Sequence, residues 1–246
     1  MSDNQNNNLI NFLIGLAEVS IKLKMEENIL KEENNNYSII TNFGCHYTCP
    51  YCIVKMNNLG IPETNMKETY DNVKKLYEKG LINFLSYSGG GDPCYLLDNE
   101  RISFYKSLQE LLVGVELEMH TSYIRSRLNR EKDLNFSRIV YHCLGKEQIE
   151  KIRRINDEII RVVFVVQDHF TEDYIEEIVE IVKRSDIITE LSFRQRLDEN
   201  YETTYTLHNY LKDGHKKDWY YIEQDDYNNY IVNDQVYKNY SDFKQD

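Results

Sequence analysis

The chain has 246 residues, enough for one large domain with a real hydrophobic core. Acidic residues outnumber basic ones by 41 to 29, a net charge of −12 that is spread rather than blocked; this argues against broad nucleic-acid contact and reads as solubility. Its five cysteines are not a secreted disulfide framework and suit a reducing cytoplasm, and no apolar run reaches the length of a membrane span.

The opening Ser2-Asp3-Asn4-Gln5 lacks the basic segment of a signal peptide, and residues 2–8 are polar enough to fray. From Leu9 to Leu30 apolar residues recur at near-helical spacing, which predicts an amphipathic helix outside the main body. Its polar face carries Glu as much as Lys, so a membrane-surface role is disfavoured. With the polar break at 32–36 it forms an N-terminal segment, 1–36.

Residues 37–200 then read as repeating strand–helix units. Strands are expected at 37–43, 83–87, 115–121, 138–144, 159–167 and 189–197. Helices are expected at 68–79, stopped by Gly80, and at 100–112, 146–156 and 171–184, the last capped by Thr171. The charged stretch Arg125–Asp133 is expected to hold a short helix, and residues 53–66 an irregular segment. Six such units imply parallel pairing with right-handed crossovers, hence an α/β fold: a (β/α)6 partial barrel, or else an open doubly wound sheet. Residues 201–246 differ, being dense in Tyr with turns at 225–228 and 233–234. They read as a C-terminal aromatic-rich antiparallel meander that packs a barrel edge or bottom.

Two motifs follow the first two strands. After Gly44, three cysteines fall within Cys45-His46-Tyr47-Thr48-Cys49-Pro50-Tyr51-Cys52. Three thiolates on one short loop suit a soft metal centre, either an iron–sulfur cluster or zinc, although no second pair of ligands at zinc spacing follows. After the second strand comes Ser88-Gly89-Gly90-Gly91-Asp92-Pro93. The CxxxCxxC stretch, with an aromatic before its last cysteine, resembles the signature of the radical S-adenosylmethionine (radical SAM) enzymes. Gly90, Gly91 and Asp92 are similar to that family's GGE-P motif, with Asp in place of the commoner Glu.

The resemblance implies a partial TIM-like barrel in which Cys45, Cys49 and Cys52 bind three irons of a 4Fe–4S cluster. It implies that the remaining iron binds S-adenosylmethionine, with Tyr51 near the adenine and Asp92 at the methionyl amine. Thr121-Ser122 is loosely similar to a polar turn near the cofactor in related enzymes. An electron donor such as flavodoxin or ferredoxin is implied as a partner. The chemistry implied is reductive cleavage of the cofactor to a 5′-deoxyadenosyl radical, followed by hydrogen abstraction.

Strand parity speaks to the substrate. Glu116, Glu118 and His120 share one face of the third strand; Arg138, Val140 and His142 share one face of the fourth; Ser192, Arg194 and Arg196 share one face of the sixth. The outer face must meet helices, so the polar parity should point into the lumen, where Glu116 and Arg138 are candidates for an internal ion pair. A polar lumen suggests a small polar guest, anionic or nucleotide-like. Residues at the carboxyl ends of strands should face the chemistry: Asp92, His120, Thr121, Ser122, His142, Gln167, Asp168, Arg194 and Arg196. His120 and His142 are acid–base candidates, each against the plainer role of a wall residue, and Arg194 is the candidate for an anionic group. Cys94 is either a hydrogen donor to a radical or a small buried thiol. Two other functions stay open: an activase that places a glycyl radical on a partner protein, and a non-catalytic iron–sulfur or zinc module.

Overall fold

Alternating side chains give each strand a face for helices and a face for a lumen. The computed structural model describes residues 36–88, 90–124, 134–154, 156–223 and 229–244, all within a unit spanning Asn36–Asp246. The helix expected over 9–30, the charged stretch 125–133 and the turn at 225–228 lie outside the described residues.

Six strands follow the expected order: β1 (Asn36–Ile39), β2 (Phe84–Tyr87), β3 (Glu116–Thr121), β4 (Arg138–Cys143), β5 (Ile159–Val165) and β6 (Glu190–Arg194). Each pairs in parallel with the next. Between β1 and β2 lie a short helix, α1 (Ile53–Met56), in the segment expected to be irregular, and α2 (Met66–Glu78). Helix α3 (Asn99–Leu111) follows β2, and α4 (Glu172–Lys183) follows β5.

Caps set the helix starts. Asn65 accepts from the backbone of Lys67 and Glu68, Asp98 from Arg101, and Thr171 from Tyr174. Tyr105 and Leu108 of α3 and Ile175 and Ile178 of α4 are fully buried against Leu85, Tyr87, Phe164 and Phe193 of the sheet. Each such side chain contributes about 1.5–3 kcal/mol of burial.

Three expected elements come out differently. The helix expected at 146–156 is a 3-10 turn, Lys146–Lys151. Its buried Ile149 and the buried Ile152 just past its end stand three apart, which is the 3-10 period. The last strand ends at Arg194, because buried Gln195 turns its side chain to the backbone of Thr206 and the hydroxyl of Tyr221. Arg196–Leu197 (β7) then forms a separate antiparallel ribbon with Thr203–Thr204 (β8).

The C-terminal meander is the third correction. Past α5 (His208–Asp213), β9 (Tyr220–Ile222) adds to β6 in parallel, while β10 (Asn229–Val232) adds to β1 in parallel at the opposite edge. Among the described strands past α5, β10 and β11 (Gln235–Tyr237) form an antiparallel pair. The sheet therefore runs β11-β10-β1-β2-β3-β4-β5-β6-β9. Both edges of the six-strand core carry unpaired backbone groups, and covering them satisfies more donors than an isolated meander would. The aromatics anchor the additions: Trp219 packs edge-on against Phe193 and donates to the Leu211 carbonyl, and Phe243 meets Phe43 and Tyr237. No described helix is long and apolar enough to cross a membrane.

Candidate active site

One cavity of about 250 Å³ opens at the carboxyl ends of the strands. It brings together most of the residues that the sequence marks for the site, Gln167 and Asp168 excepted: Cys45, Cys49, Tyr51 and Cys52 from the first loop; Gly90, Gly91 and Asp92 from the second; His120, Thr121 and Ser122 from β3; His142 from β4; Arg194 from β6. Of the other strand-end candidates, Arg196 lines it as well, one guanidinium nitrogen donating to both Asp168 carboxylate oxygens at 2.8 and 2.9 Å. A larger, more open groove between α2 and α3 carries none of these residues.

Glycine geometry explains how the first two loops meet. A Cβ at Gly91 would sit 2.4 Å from the Asn42 carbonyl oxygen and 2.7 Å from that of Gly44. Gly90 has φ of +89°, a conformation that costs glycine little. With the backbones this close, the Asp92 amide donates to the Gly44 carbonyl at 2.9 Å.

The Asp92 side chain reaches the other way. Its carboxylate accepts from the Cys94 amide (2.9 Å), the Thr121 hydroxyl (2.9 and 3.0 Å), the Ser122 amide (2.8 Å) and the Ser122 hydroxyl (2.9 Å). Four donors thus meet about four lone-pair sites. Asp92 ties the glycine loop to the end of β3, and an incoming amine would have to displace one of these donors.

The thiols lie on this frame. Cys52 caps α1, its carbonyl accepting from Lys55 and Met56 and its amide donating to the Cys49 carbonyl. Cys45 Sγ lies 3.7 Å from Ser122 Oγ. All three are half-buried and free of disulfides. Burial, then the neighbouring Cys45, pushes the Cys49 thiol up; a hydrogen bond with Tyr51 works against them. Burial, then Cys49, pushes the Tyr51 phenol up.

The donor set fits an iron–sulfur cluster. Three thiols line one cavity, and the field of each reaches the next. No trio of His, Cys, Asp or Glu among the described residues converges tightly enough for a single ion. A cluster binds each thiolate to a different iron.

Cys94 does not line the cavity. It is buried in the outer core, its sulfur 4.0 Å from that of Met119, so its place is that of a packed thiol rather than a hydrogen donor.

The lumen wall is polar, as parity predicts, but its ion pairs differ in register. Arg138 pairs with Glu118 and with Glu190 (2.9 Å), and Arg161 also reaches Glu190 (2.7 Å). Glu116, the expected partner, is exposed at the start of β3. His120 Nε2 lies 3.0 Å from Glu118, and His120 Nδ1 lies 3.2 Å from His142 Nε2. Burial pushes Glu118 up, but His120 and Arg138 outweigh it and hold the carboxyl at about 2.

Burial, then His120 and Arg194, holds His142 at about 3, well below the ordinary 6.5. Between those values the unfolded chain binds a proton that the folded chain refuses. Stability therefore falls as pH drops from 6.5 toward 3, by up to about 1.4 kcal/mol per pH unit from this group. The depressed Glu118 stabilises fully above its ordinary 4.5 and loses this as pH falls through 2, a lower window. Thermal melts from about pH 7 to about pH 4 should show His142→Gln losing less stability over this span than the wild type. Equal slopes would contradict the placement of His142.

Several lining residues had no signal in the sequence. Tyr230 and Tyr240 reach the cavity because β10 joins β1 and the chain after β11 folds back over it. Leu144, Val165 and Leu197 add apolar wall.

No protein-family model and no curated protein matches this sequence. Among solved structures, a radical SAM methyltransferase from Sphaerobacter thermophilus is similar with a TM-score of 0.52, covering 82% of this chain and 70% of its own at 12% identity. The likeness is one of fold. BtrN in complex with AdoMet and 2-DOIA matches at TM-score 0.33, with 12% identity over 77% of this chain and 56% of its own. A protein named as an L-alanine-DL-glutamate epimerase, from Burkholderia xenovorans strain LB400, matches at 0.39, with 10% identity over 77% and 51%. Scores that low add nothing to the assignment. In this chain the cavity lies at the carboxyl ends of the parallel strands.

Proposed function

We propose that this chain is a radical SAM enzyme acting on a small polar, anionic substrate. The observation that carries the reading is the convergence of three thiols, a glycine loop and a polar inner wall on one cavity. Cys45, Cys49 and Cys52 would hold a 4Fe–4S cluster, with S-adenosylmethionine bound beside it. Once reduced by one electron from a flavodoxin- or ferredoxin-like donor, that pair supplies a 5′-deoxyadenosyl radical.

The chain's own residues do the rest. Gly90 and Gly91 let this loop pack against Phe43 and the Asn42 and Gly44 carbonyls, beside where the methionyl group would lie, and Asp92 fixes that loop to β3. Tyr51 lines the cavity with the thiols and would lie near the adenine; Thr121 and Ser122 hold Asp92 in turn. Arg194 offers a planar fork for an oxyanion. Leu144, Val165 and Leu197 limit water around the reacting carbon. His120 and His142 are the acid–base candidates. Reduced thiols of this kind suit a cytoplasmic setting.

Anaerobically reconstituted protein with dithionite and S-adenosylmethionine should release 5′-deoxyadenosine. Protein that carries zinc and leaves the cofactor intact would instead favour a non-catalytic module. A glycyl-radical activase would also cleave the cofactor, and would be told apart by a radical left on a partner protein.

A further inference from the structure

We infer that Arg196 anchors the oxyanion of a small substrate at the rim of the cavity, and that Asp168 is the chain's own stand-in for it, displaced when the guest binds. The assignment to a substrate rests on the enzymatic reading above; the anion site does not.

The sequence puts Arg196 at a break in the sheet. Buried Gln195 turns its side chain to Thr206 and Tyr221, which ends β6. Arg196 and Leu197 then leave the sheet and pair with Thr203–Thr204 as the β7–β8 ribbon. The loop of that ribbon closes on itself. The Asp198 amide donates to the Glu202 carbonyl at 2.9 Å, and the Asp198 carboxylate accepts from the amides of Asn200 and Glu202. The backbone beneath Arg196 is therefore held, and its side chain lines the cavity.

Donors there outnumber acceptors. A guanidinium has five N–H donors and no acceptor. Only Nη2 of Arg196 is bonded, to the two Asp168 oxygens, so the donors on Nε and Nη1 meet no acceptor among the described residues. Neither nitrogen is sealed from solvent. Apart from the histidines and thiols, the charged lining residues are Arg194, Arg196 and Asp92, and Asp92 already accepts from four donors. The acids of the ribbon, Asp198, Glu199 and Glu202, do not line the cavity. A guest carboxylate or phosphate supplies the acceptors that this wall lacks.

Asp168 holds its place weakly. Its side chain is 73% exposed and does not line the cavity, and ion pairs this open to water contribute little. Both planar forks of a guanidinium share the nitrogen that Asp168 now holds. A guest gripped by either fork must therefore turn Asp168 out to water.

Topology gives this oxyanion to the substrate rather than to the cofactor. The thiols and the glycine loop follow β1 and β2, whereas Arg196 follows β6, with β2, β3, β4 and β5 between β1 and β6. A guest held at Arg196 keeps its anion across the cavity from the thiols. The class is a small carboxylate or phosphate whose reacting carbon is remote from its charged group.

The test uses the full chain without a cluster, labelled with 15N-arginine and titrated with inorganic phosphate at constant ionic strength. Arg196→Lys assigns the Nε signal. Phosphate should shift that signal with saturation and leave the signal of Arg184, an exposed arginine outside the cavity, in place. By calorimetry, Arg196→Gln should weaken phosphate binding at least about ten-fold. Asp168→Asn should tighten it, by up to about five-fold. Asp71→Asn removes the same charge from an exposed ion pair on α2 and should leave it unchanged.

No saturable shift at Arg196, an equal shift at Arg184, or undiminished binding by Arg196→Gln overturns the site. So does an Asp168→Asn protein that binds no more tightly, or an Asp71→Asn protein that gains as much. If Arg196→Gln fails to fold, the two aspartate variants decide. The phosphate titration is then repeated on reconstituted chain with and without S-adenosylmethionine. Unchanged affinity supports a substrate anchor; loss of phosphate binding gives Arg196 to the cofactor's carboxylate and overturns the substrate assignment. Failure of cofactor cleavage would sink the enzymatic reading and leave the anion site standing, since that is read without a cluster.

Discussion

Cys49→Ala should reduce bound iron from about four per reconstituted chain to near zero, and 5′-deoxyadenosine release to background. Losing a residue that only supports a metal ligand costs about 10–100-fold in metal affinity or activity, and losing a ligand itself should exceed that. The fold should survive. Cys49 is half-buried; alanine keeps the carbonyl that accepts from Cys52 and loses only the thiol's hydrogen bond with Tyr51. A stability change under about 1 kcal/mol is therefore expected. Cys94→Ala is the matched control: it removes a fully buried thiol from the outer core and should keep its iron while costing about 1 kcal/mol. Iron analysis and absorbance near the cluster band, read with thermal melts, separate the two. If Cys49→Ala bound as much iron as the wild type, the assignment of the triad would fail.

Asp92→Ala should be the most damaging single change near the cavity. It removes the acceptor for the Cys94 amide, the Ser122 amide and two hydroxyls at once. Unmet buried donors cost about 1–3 kcal/mol each, and the hydroxyls can turn to other partners, so a net loss of about 3–5 kcal/mol is expected. Asp92→Asn keeps one oxygen and should lose about half as much. If Asp92 served only to bind the cofactor amine, the free protein would melt unchanged and only cofactor affinity would fall. Denaturant unfolding of the cofactor-free chain distinguishes these outcomes.

The inner wall was legible because strand parity is a local property. Once the outer face must meet helices, His120, His142 and Arg194 have to turn inward, and the cavity holds all three. The ion-pair partner of Arg138 was not legible. Glu116 and Glu118 share a parity, so alternation cannot say which of them lies opposite; cross-strand register decides, and it sets Glu118 against Arg138. The destinations of β9 and β10 were hidden for a similar reason. Turn residues near 225–228 and 233–234 read as tight hairpins, yet β9 pairs with β6 and β10 pairs with a strand about one hundred and ninety residues earlier. Long-range edge pairing leaves no periodic mark, so Tyr230 and Tyr240 could not be placed at the cavity. The loop motifs were legible because their spacing is itself geometry: Gly91 must be small for two backbones to approach so closely.

The outermost pairings bear on how the chain is made. Strands β9 and β10, which cover the two flanks of the six-strand core, are both synthesised late. During translation, that core must wait with its flanks bare until residues 220–232 have cleared the ribosome. Bare flanks recruit foreign strands, so this interval is when a nascent chain is most exposed to sticking to its neighbours and most in need of a chaperone.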